Sequence, residues 1–588
     1  MGDYSISDIY QGGYSSMSPK YGSSFGNYKI DIKTIGMATD PRTANIIQDA
    51  STKLNTGAKH IELSTVGPGE FESIPKQQFE EMKRLSKITG TTVSVHGPII
   101  ELSGLTQQQF SNTNREGAER QMFSAVEKAH LVSPNENISV TFHSSAVPLP
   151  GRTSQKDKDP ENTLIINKDT GSIHTIPLKE RTWPGEPSKR DPKQEIIKLN
   201  EQQWTENLRQ LEYRSELGGE AIERSAVTTL FAENEKLNKK DLTKEEENMQ
   251  FTFGRGRAYI YSSYNELKDL FDVAYHNASE VEKNKIKDFY KDIEKDVKKI
   301  NDNQNDVKNT LIIKEIVKKG SNFLDKEIAP PQLYGDLNEF AKNKTAETIS
   351  NVALKALNDK NIGNGDINKT PIINIENPPA GMIFSEGQDL KDIVEASRQK
   401  FVEKAMQEGM NERSAKEAAA KLIGVTWDVG HINMLRKYGY NSKELIEETE
   451  KVAPFVKHIH LSDNFGFEHT ELPMGMGNVP MKEILDKLGK EGFDAKKVIE
   501  AGNWWQHFQT PPFKETLEAF GSPIYSMQMA PYWNQAITFQ QGYYGGYGAM
   551  LPQTNYDSFG AGFSRLPTEL GGQSPGAEGG RMSGKPME

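Results

Sequence analysis

Short apolar runs alternate with segments of helical spacing in the first quarter of the chain. These runs predict strands, which are expected at residues 28–32, 59–64, 92–98 and 138–145. Apolar positions recur with the spacing of an amphipathic helix at residues 41–54, 76–88 and 114–130. This repeated β-α-β order predicts a parallel sheet that is covered by helices.

The same rhythm resumes late in the chain. Buried strands are predicted at residues 371–377, 424–431, 456–463 and 497–502, with amphipathic helices between them. The two segments, residues 28–150 and 371–526, together contain eight predicted strands, and their combined length is close to the ~250 residues of an eight-stranded parallel barrel. We therefore predict an α/β protein with a (β/α)8 TIM barrel that is built from two halves of the chain.

Three segments do not follow the barrel rhythm. Residues 151–370 contain a hairpin pattern at 164–174 and long helical runs rich in Lys, Glu and Asn, which predict a mainly helical insertion after the fourth strand. Residues 1–27 are rich in Tyr, Ser and Gly and predict a flexible arm. Residues 527–588 are rich in Gly, Gln, Tyr and Pro, which predicts a disordered tail whose aromatic side chains are available for weak protein interactions.

Composition narrows the chemistry that the barrel can carry. The chain has 588 residues, a net charge of −11 and no cysteine. The absence of cysteine excludes disulfides and thiolate metal sites and leaves His, Asp and Glu as the strong metal ligands. The negative charge argues against broad nonspecific binding to phosphates, although it leaves room for a local site. No signal peptide or run of 18 apolar residues is present, so we expect a soluble, cytoplasmic protein.

Histidines and carboxylates follow most of the predicted barrel strands. The C-terminal ends of the strands in such a barrel share one face, so these side chains are expected to meet there. The candidate ligands are His96, His143, Glu376, Asp428, His431, His460, His469, Glu471 and Glu500. Each has a structural explanation by itself, such as a helix N-cap for Asp428 or a turn cap for His96. As a set they are hard to explain in this way, because unpaired buried carboxylates cost several kcal/mol unless a cation neutralises them.

A donor set of imidazole and carboxylate groups favours particular metals. Zn²⁺, Mn²⁺ or Fe²⁺ suits it, and Mg²⁺ suits it less because of the many nitrogens. Nine candidate ligands exceed the need of one ion, so two or three ions are expected. Glu376, from the fifth barrel strand, is placed to bridge two of them.

Several strand-end motifs resemble the xylose isomerase-like barrel superfamily, and in particular its endonuclease IV (AP endonuclease family 2) branch. The resemblance covers roughly residues 28–150 and 371–525. The motifs are Asp428-Val429-Gly430-His431, His460-Leu461-Ser462-Asp463, Gly475-Met476-Gly477-Asn478 and Glu500. Sugar isomerases and epimerases of the superfamily share only a Glu, Asp, His, Glu core, which corresponds here to Glu376, Asp428, His460 and Glu500. His96 and His143 match two further histidines of the three-zinc endonucleases.

The sequence departs from the family pattern in one loop. Where the family usually has Asp-x-His before the Gly-x-Gly motif, this chain has His469 and Glu471, with the order of acid and imidazole exchanged. A third ion held by His431, His469 and Glu471 is therefore a hypothesis.

The resemblance implies a zinc-dependent phosphodiesterase of DNA repair that cleaves DNA at abasic sites. Glu376 and Glu500 would be its catalytic carboxylates, which position the ions and the nucleophile. The alternative is a sugar or sugar-phosphate isomerase or epimerase with one divalent ion, in which the same two residues form an acid/base pair next to a carbonyl. A degenerate barrel that serves as a binding scaffold is a third reading.

Overall fold

The fold is described here from a computed structural model of the chain. It describes residues 32–43, 45–65, 67–148, 162–178, 191–225, 243–302, 306–502, 504 and 512–520. The predicted N-terminal arm and C-terminal tail lie outside these residues. The chain divides into two compact units, of which one comprises residues 1–158 and 341–588 and the other residues 159–340.

Eight parallel strands of the first unit close into a barrel. In chain order they are β1 (Ile35–Ala38), β2 (His60–Ser64), β3 (Thr92–His96), β4 (Ser139–His143), β5 (Ile372–Glu376), β6 (Ile423–Asp428), β7 (Val456–Leu461) and β8 (Lys496–Ile499). Each strand pairs in parallel with the next, and β8 pairs with β1 to complete the ring. The predicted (β/α)8 TIM barrel is thereby confirmed.

Helices surround the barrel strands and bury their apolar faces. They are Ile46–Leu54, Pro68–Ser73, Lys76–Thr89, Asn112–Val132, Leu337–Asn358, Gly387–Gln407, Glu412–Leu422, Val429–Asn433, Ser442–Val452, Met481–Asp494 and Phe513–Ala519. The strands carry apolar side chains with almost no exposure between the ring and these helices, as for Val140, Ile375 and Ile459. This burial is the main favourable term that holds the barrel together. Among the described residues, no helix is long and apolar enough to cross a membrane.

The first barrel strand lies later in the chain than predicted. Residues 28–32 were expected to form it, but residues 28–31 lie outside the described part of the chain, Ile32–Thr34 is a single 3-10 turn, and β1 is Ile35–Ala38. Gly36 concealed this strand, because glycine weakens the strand pattern. The structure gives a reason for the glycine: a Cβ atom at Gly36 would lie 2.5 Å from the carbonyl oxygen of His60 on the neighbouring strand.

The second unit is mainly helical. Its long helices are Pro192–Arg224, Lys244–Asn277, Glu280–Asp302 and Asp306–Glu327. They enclose an apolar core in which the rings of Phe289 and Phe323 stack with their centroids 4.4 Å apart. A small antiparallel sheet of Asn162–Asn167, Ile173–Pro177 and Tyr334–Asp336 includes the predicted hairpin.

The boundary between the two units differs from the predicted end of the insertion at residue 370. Residues 341–370 lie in the barrel unit, where most of the helix Leu337–Asn358 contacts barrel residues. The Thr348 hydroxyl donates to the carbonyl oxygen of Leu102 at 2.9 Å, and the side-chain amide of Asn351 donates to Glu119 at 2.9 Å. The many Lys, Asn and Glu residues of this helix gave it the composition of the insertion. Its buried face contains many small residues, such as Ala346 and Ala353, which produce only a weak apolar pattern in the sequence.

Candidate metal centre

The barrel brings polar side chains from six consecutive strands to one rim. They are His96 at the end of β3, His143 at the end of β4, Glu376 at the end of β5, Asp428 at the end of β6, His460 on β7 and Glu500 directly after β8. The parallel register aligns these ends, as the pairs His143 with Glu376 and Asp428 with His460 show. Sequence reasoning thus placed these six residues on a common rim, and the structure brings them within contact distance of one another.

Glu376 lies between two sets of imidazoles, with each carboxylate oxygen facing a different set. Its Oε2 is 2.9 Å from Nε2 of His96 and 3.3 Å from Nε2 of His143. Its Oε1 is 2.9 Å from Nδ1 of His460. Burial would raise the pKa of Glu376, but the imidazoles of His460 and His143 hold that pKa well below its ordinary value. Glu376 could therefore hold a cation together with the histidines on either of its sides.

Three carboxylates and one imidazole form the second group around Glu376. Ligand atoms of Glu376, Asp428, His460 and Glu500 all lie within 4.8 Å of one another. Burial, reinforced by the charge of Glu376, raises the pKa of Asp428, and burial together with the nearby carboxylates raises the pKa of Glu500 well above its usual value. Three acids this close, two of them buried and Glu500 partly exposed, repel one another unless positive charge separates them.

Asp428 shows most directly that this group fits a metal ion. Its Oδ1 accepts the backbone N–H of His431 at 2.7 Å and so caps the short helix Val429–Asn433. Its Oδ2 is buried and has no hydrogen-bond partner among the residues that the structure describes. The helix cap therefore leaves the other oxygen of this side chain available to a cation. A buried carboxylate oxygen without a donor is costly, and a divalent cation in the group would compensate it.

The third predicted ligand set is arranged differently. Nε2 of His431 lies 2.8 Å from Nε2 of His469, while Nδ1 of His431 lies 2.8 Å from the carbonyl oxygen of Asn377. The carboxylate of Glu471 comes closest to these two histidines at 3.7 Å, the distance from its Oε1 to Nδ1 of His469. In the described part of the chain, the compact groups of potential ligands do not include this trio. Glu471 thus lies beside Nδ1 of His469, whereas His431 lies beside Nε2 of the same ring. With the order of acid and imidazole exchanged, the acid is on the side of His469 that faces away from His431.

We expect the variant Glu471→Ala to retain the same number of bound metal ions as the wild type. The reason is that Glu471 does not converge with His431 and His469. Metal content of the purified proteins, measured by inductively coupled plasma mass spectrometry, checks this. Glu468→Ala, which removes an exposed acid from the same loop, is the matched control. Loss of one ion per chain in Glu471→Ala alone would restore the hypothesis of a third ion.

Asp463 organises the loop that carries the Gly-x-Gly motif. Its carboxylate accepts the backbone N–H groups of Asn464, Gly475 and Val479 at distances between 2.9 and 3.1 Å. A Cβ atom at Gly477 would lie 2.2 Å from Oδ1 of Asp463, so the motif needs glycine for this close approach. Asp463 therefore holds the loop in place, and the His-Leu-x-Asp motif combines a candidate ligand with a loop anchor.

Sequence reasoning missed Glu62 of β2. Its side chain is fully buried, and its carboxylate faces His458 and His460 of β7. The available signal was the acid itself, because Glu62 stands between Ile61 and Leu63 in an otherwise apolar strand. Strand alternation puts this acid on the face opposite Ile61 and Leu63, and its contacts with His458 and His460 show that this face lines the barrel interior.

A cavity of ≈ 390 Å³ opens next to the metal-ligand groups. Its walls include His96, His143, His431, His469, Glu471 and Glu500. Glu376 has no exposed side-chain surface, whereas the side chain of Glu500 is 18% exposed. The volume suits a small molecule or a single nucleotide unit. Glu500 is therefore the carboxylate of the two predicted catalytic residues that is able to meet a substrate.

Comparisons with known proteins give a family match in the second half of the barrel. Residues 409–520 match the family described as "Xylose isomerase-like TIM barrel". A stretch of 88 residues, which is 15% of this chain, is 33% identical to an uncharacterized protein of Methanocaldococcus jannaschii. The match spans 29% of the length of that relative. The crystal structure of a D-tagatose 3-epimerase-like protein aligns with 85% of this chain and 99% of its own, at 11% identity and a TM-score of 0.32. The expected resemblance to the xylose isomerase-like superfamily is confirmed, and the matched segment includes Asp428, His460 and Glu500.

Proposed function

We propose that this barrel is a phosphodiesterase that depends on two divalent metal ions and cleaves DNA at abasic sites. The observation that carries the proposal is the position of Glu376, whose Oε2 faces His96 and His143 and whose Oε1 faces His460. The potential ligands on its two sides are more than a reaction with one ion requires. The pair of groups favours chemistry in which two ions act on the same substrate, as in hydrolysis of a phosphodiester.

The residues present suit the proposed ions. His96, His143 and Glu376 would hold the first ion, and Glu376, Asp428, His460 and Glu500 would hold the second. Imidazole and carboxylate donors without thiolate favour Zn²⁺, with Mn²⁺ as the next choice. When bound, such ions supply a water nucleophile at neutral pH and neutralise charge on the phosphate.

The side chains divide the remaining work according to their exposure. Glu376 is enclosed and fixes the separation of the two ligand groups. Glu500 reaches the cavity wall, where its carboxylate is placed to take or return a proton at the substrate. His96 and His143 line the same cavity and orient the first group.

A sugar isomerase or epimerase is the second candidate function. The cavity favours it, because ≈ 390 Å³ is enough for a monosaccharide. In this case Glu376, Asp428, His460 and Glu500 would hold one ion, and of the predicted acid/base pair Glu376 and Glu500 only the cavity-facing Glu500 would move a proton beside a carbonyl of the substrate. His96 would then contact the substrate and not a metal.

Metal content and two activity assays separate these functions. The expected result for the wild type is two ions per chain and nicking of a duplex that contains one abasic site. We expect His143→Ala to lose one ion and the nicking activity, because it removes a ligand of the first group only. His130→Ala replaces a buried histidine outside the metal centre and is the matched control. One ion per chain, no nicking and metal-dependent proton exchange on a ketose would overturn the phosphodiesterase in favour of the isomerase.

A further inference from the structure

His460 is contacted by carboxylates on both sides of its ring. Its Nδ1 faces the candidate metal centre, 2.9 Å from Oε1 of Glu376 and 3.3 Å from Oε1 of Glu500. Its Nε2 faces the barrel interior and lies 2.9 Å from Oε1 of Glu62, an electrostatic contact in which neither atom meets the geometry of a hydrogen bond. A neutral imidazole has one nitrogen with a proton and one with a free lone pair, so the two sides of this ring play different roles.

Glu62 is itself held in place by two neighbours. Its Oε2 accepts a hydrogen bond from the Ser94 hydroxyl at 2.7 Å and lies 2.9 Å from Nε2 of His458. The carboxylate has no exposed surface, and the positive electrostatic influence of His460 and His458 keeps its pKa well below the usual value in spite of burial. Glu62 is thus a buried carboxyl group in the barrel interior whose neighbours are histidines and a hydroxyl.

The polar contacts continue from Ser94 toward the opposite end of the barrel. Nε2 of His60 lies 3.0 Å from the Ser94 hydroxyl oxygen, and Nδ1 of His60 lies 2.9 Å from the hydroxyl oxygen of Thr92. Bulky branched apolar side chains usually fill the interior of such barrels. A chain of polar groups at this depth needs a reason, because each member has to be paired to offset its loss of hydration.

We propose that Glu62 is a positioning residue that keeps the proton of His460 on Nε2 and so presents the lone pair of Nδ1 to a metal ion. This inference rests on the proposed metal centre and adds to it a carboxylate that does not itself touch ion or substrate. Partners of this kind orient metal-binding histidines and raise their basicity, and their loss typically weakens metal binding about 10–100-fold. Ser94 and His458 act one step further away, because they fix the orientation of Glu62.

The test compares Glu62→Gln with Ser94→Ala and with the control Thr141→Val. Thr141 is also buried in the barrel interior, where its hydroxyl lies 2.8 Å from that of Thr426 and contacts none of the candidate ligands. Metal affinity is measured for each ion by competition with a chromophoric chelator, and the melting temperature is measured with and without Zn²⁺. We expect Glu62→Gln to weaken binding of one of the two ions about 10–100-fold and to leave the other unchanged. Ser94→Ala, which perturbs the barrel less, should show a smaller loss at the same ion.

The readouts distinguish a positioning role from a structural one. A positioning role reduces the rise in melting temperature on addition of Zn²⁺ and is rescued by a higher concentration of the ion. A purely structural role lowers the melting temperature of the metal-free protein, as in Thr141→Val, without a selective loss of affinity, and this result would overturn the inference. A wild type with a further ion that is lost in both Glu62→Gln and His458→Ala would also overturn the inference. Glu62, His458 and His460 would then hold a metal ion themselves, and Glu62 would be a ligand instead of a positioning residue. A wild type that binds no ion would disprove the proposed function, whereas a wild type with two ions and an equally tight Glu62→Gln would disprove only the role of Glu62.

Discussion

Replacement of Glu376 by Gln is expected to remove both metal ions and the catalytic activity together. The amide has almost the same shape but no negative charge, and it cannot share two anionic oxygens between the two ligand groups. The five nearby imidazole and carboxylate ligands would remain in place without their common partner. Breaking a buried ion pair from one side costs about 3–5 kcal/mol, so the affinity for each ion should fall on the order of 10³-fold.

The measurements for Glu376→Gln are metal content and the initial rate of nicking under saturating substrate. Glu448→Gln is the matched control, because Glu448 is also a buried carboxylate but pairs with Lys451 on a helix outside the site. It should retain the full metal content. A Glu376→Gln protein that keeps two ions would show that the two oxygens of Glu376 do not bridge the groups. Retention of one ion would assign the carboxylate to a single group.

Removal of the metal ions from the wild type by a chelator is expected to abolish activity and to lower the melting temperature. Without cations, Glu376, Asp428 and Glu500 are left close together in a buried site. A ligand present at about 100 times its Kd contributes about 2.7 kcal/mol to stability. For a barrel of about 280 residues, that contribution corresponds to roughly 5 °C in melting temperature for each ion.

Differential scanning calorimetry before and after chelation measures this change. Zn²⁺ or Mn²⁺ should restore both the melting temperature and the activity, and Mg²⁺ should not, because the ligands include several imidazoles. Glu376→Gln supplies an internal control, since a chelator should not lower its melting temperature further. An unchanged melting temperature of the wild type after complete removal of metal would contradict a metal-dependent site among these carboxylates.

The ring of strands follows from features that are local in the sequence. Seven of the eight barrel strands lie where the apolar runs predict them, because the period of apolar positions reports the buried face of each strand directly. β1 was displaced because Gly36 interrupts its apolar pattern, and the reason for that glycine is contact with the backbone of another strand. The predicted insertion extended to residue 370 for a similar reason. The helix Leu337–Asn358 has a polar composition, and only its neighbours show that most of it belongs to the barrel unit.

The loop after β7 shows where local patterns stop being sufficient. The sequence places His469 and Glu471 near the rim, but the direction of a loop side chain depends on the backbone conformation of the loop. Glu471 has a φ of 46°, a value that non-glycine residues seldom adopt, and its side chain lies beside Nδ1 of His469. Spacing in the sequence does not specify such a conformation, because it depends on the contacts that anchor the loop at Asp463.

The sequence by itself determined the closed barrel and the kinds of donor groups at its rim, since apolar period and strand ends are encoded in short stretches of neighbouring residues. Only the tertiary structure decided which oxygen or nitrogen faces which partner. The two oxygens of Glu376 are divided between strands on either side of β5, and Glu62 meets His458 across 396 positions of sequence. Contacts of this kind arise when the ring closes, because each strand then presents its inward side chains to strands that are distant in the chain.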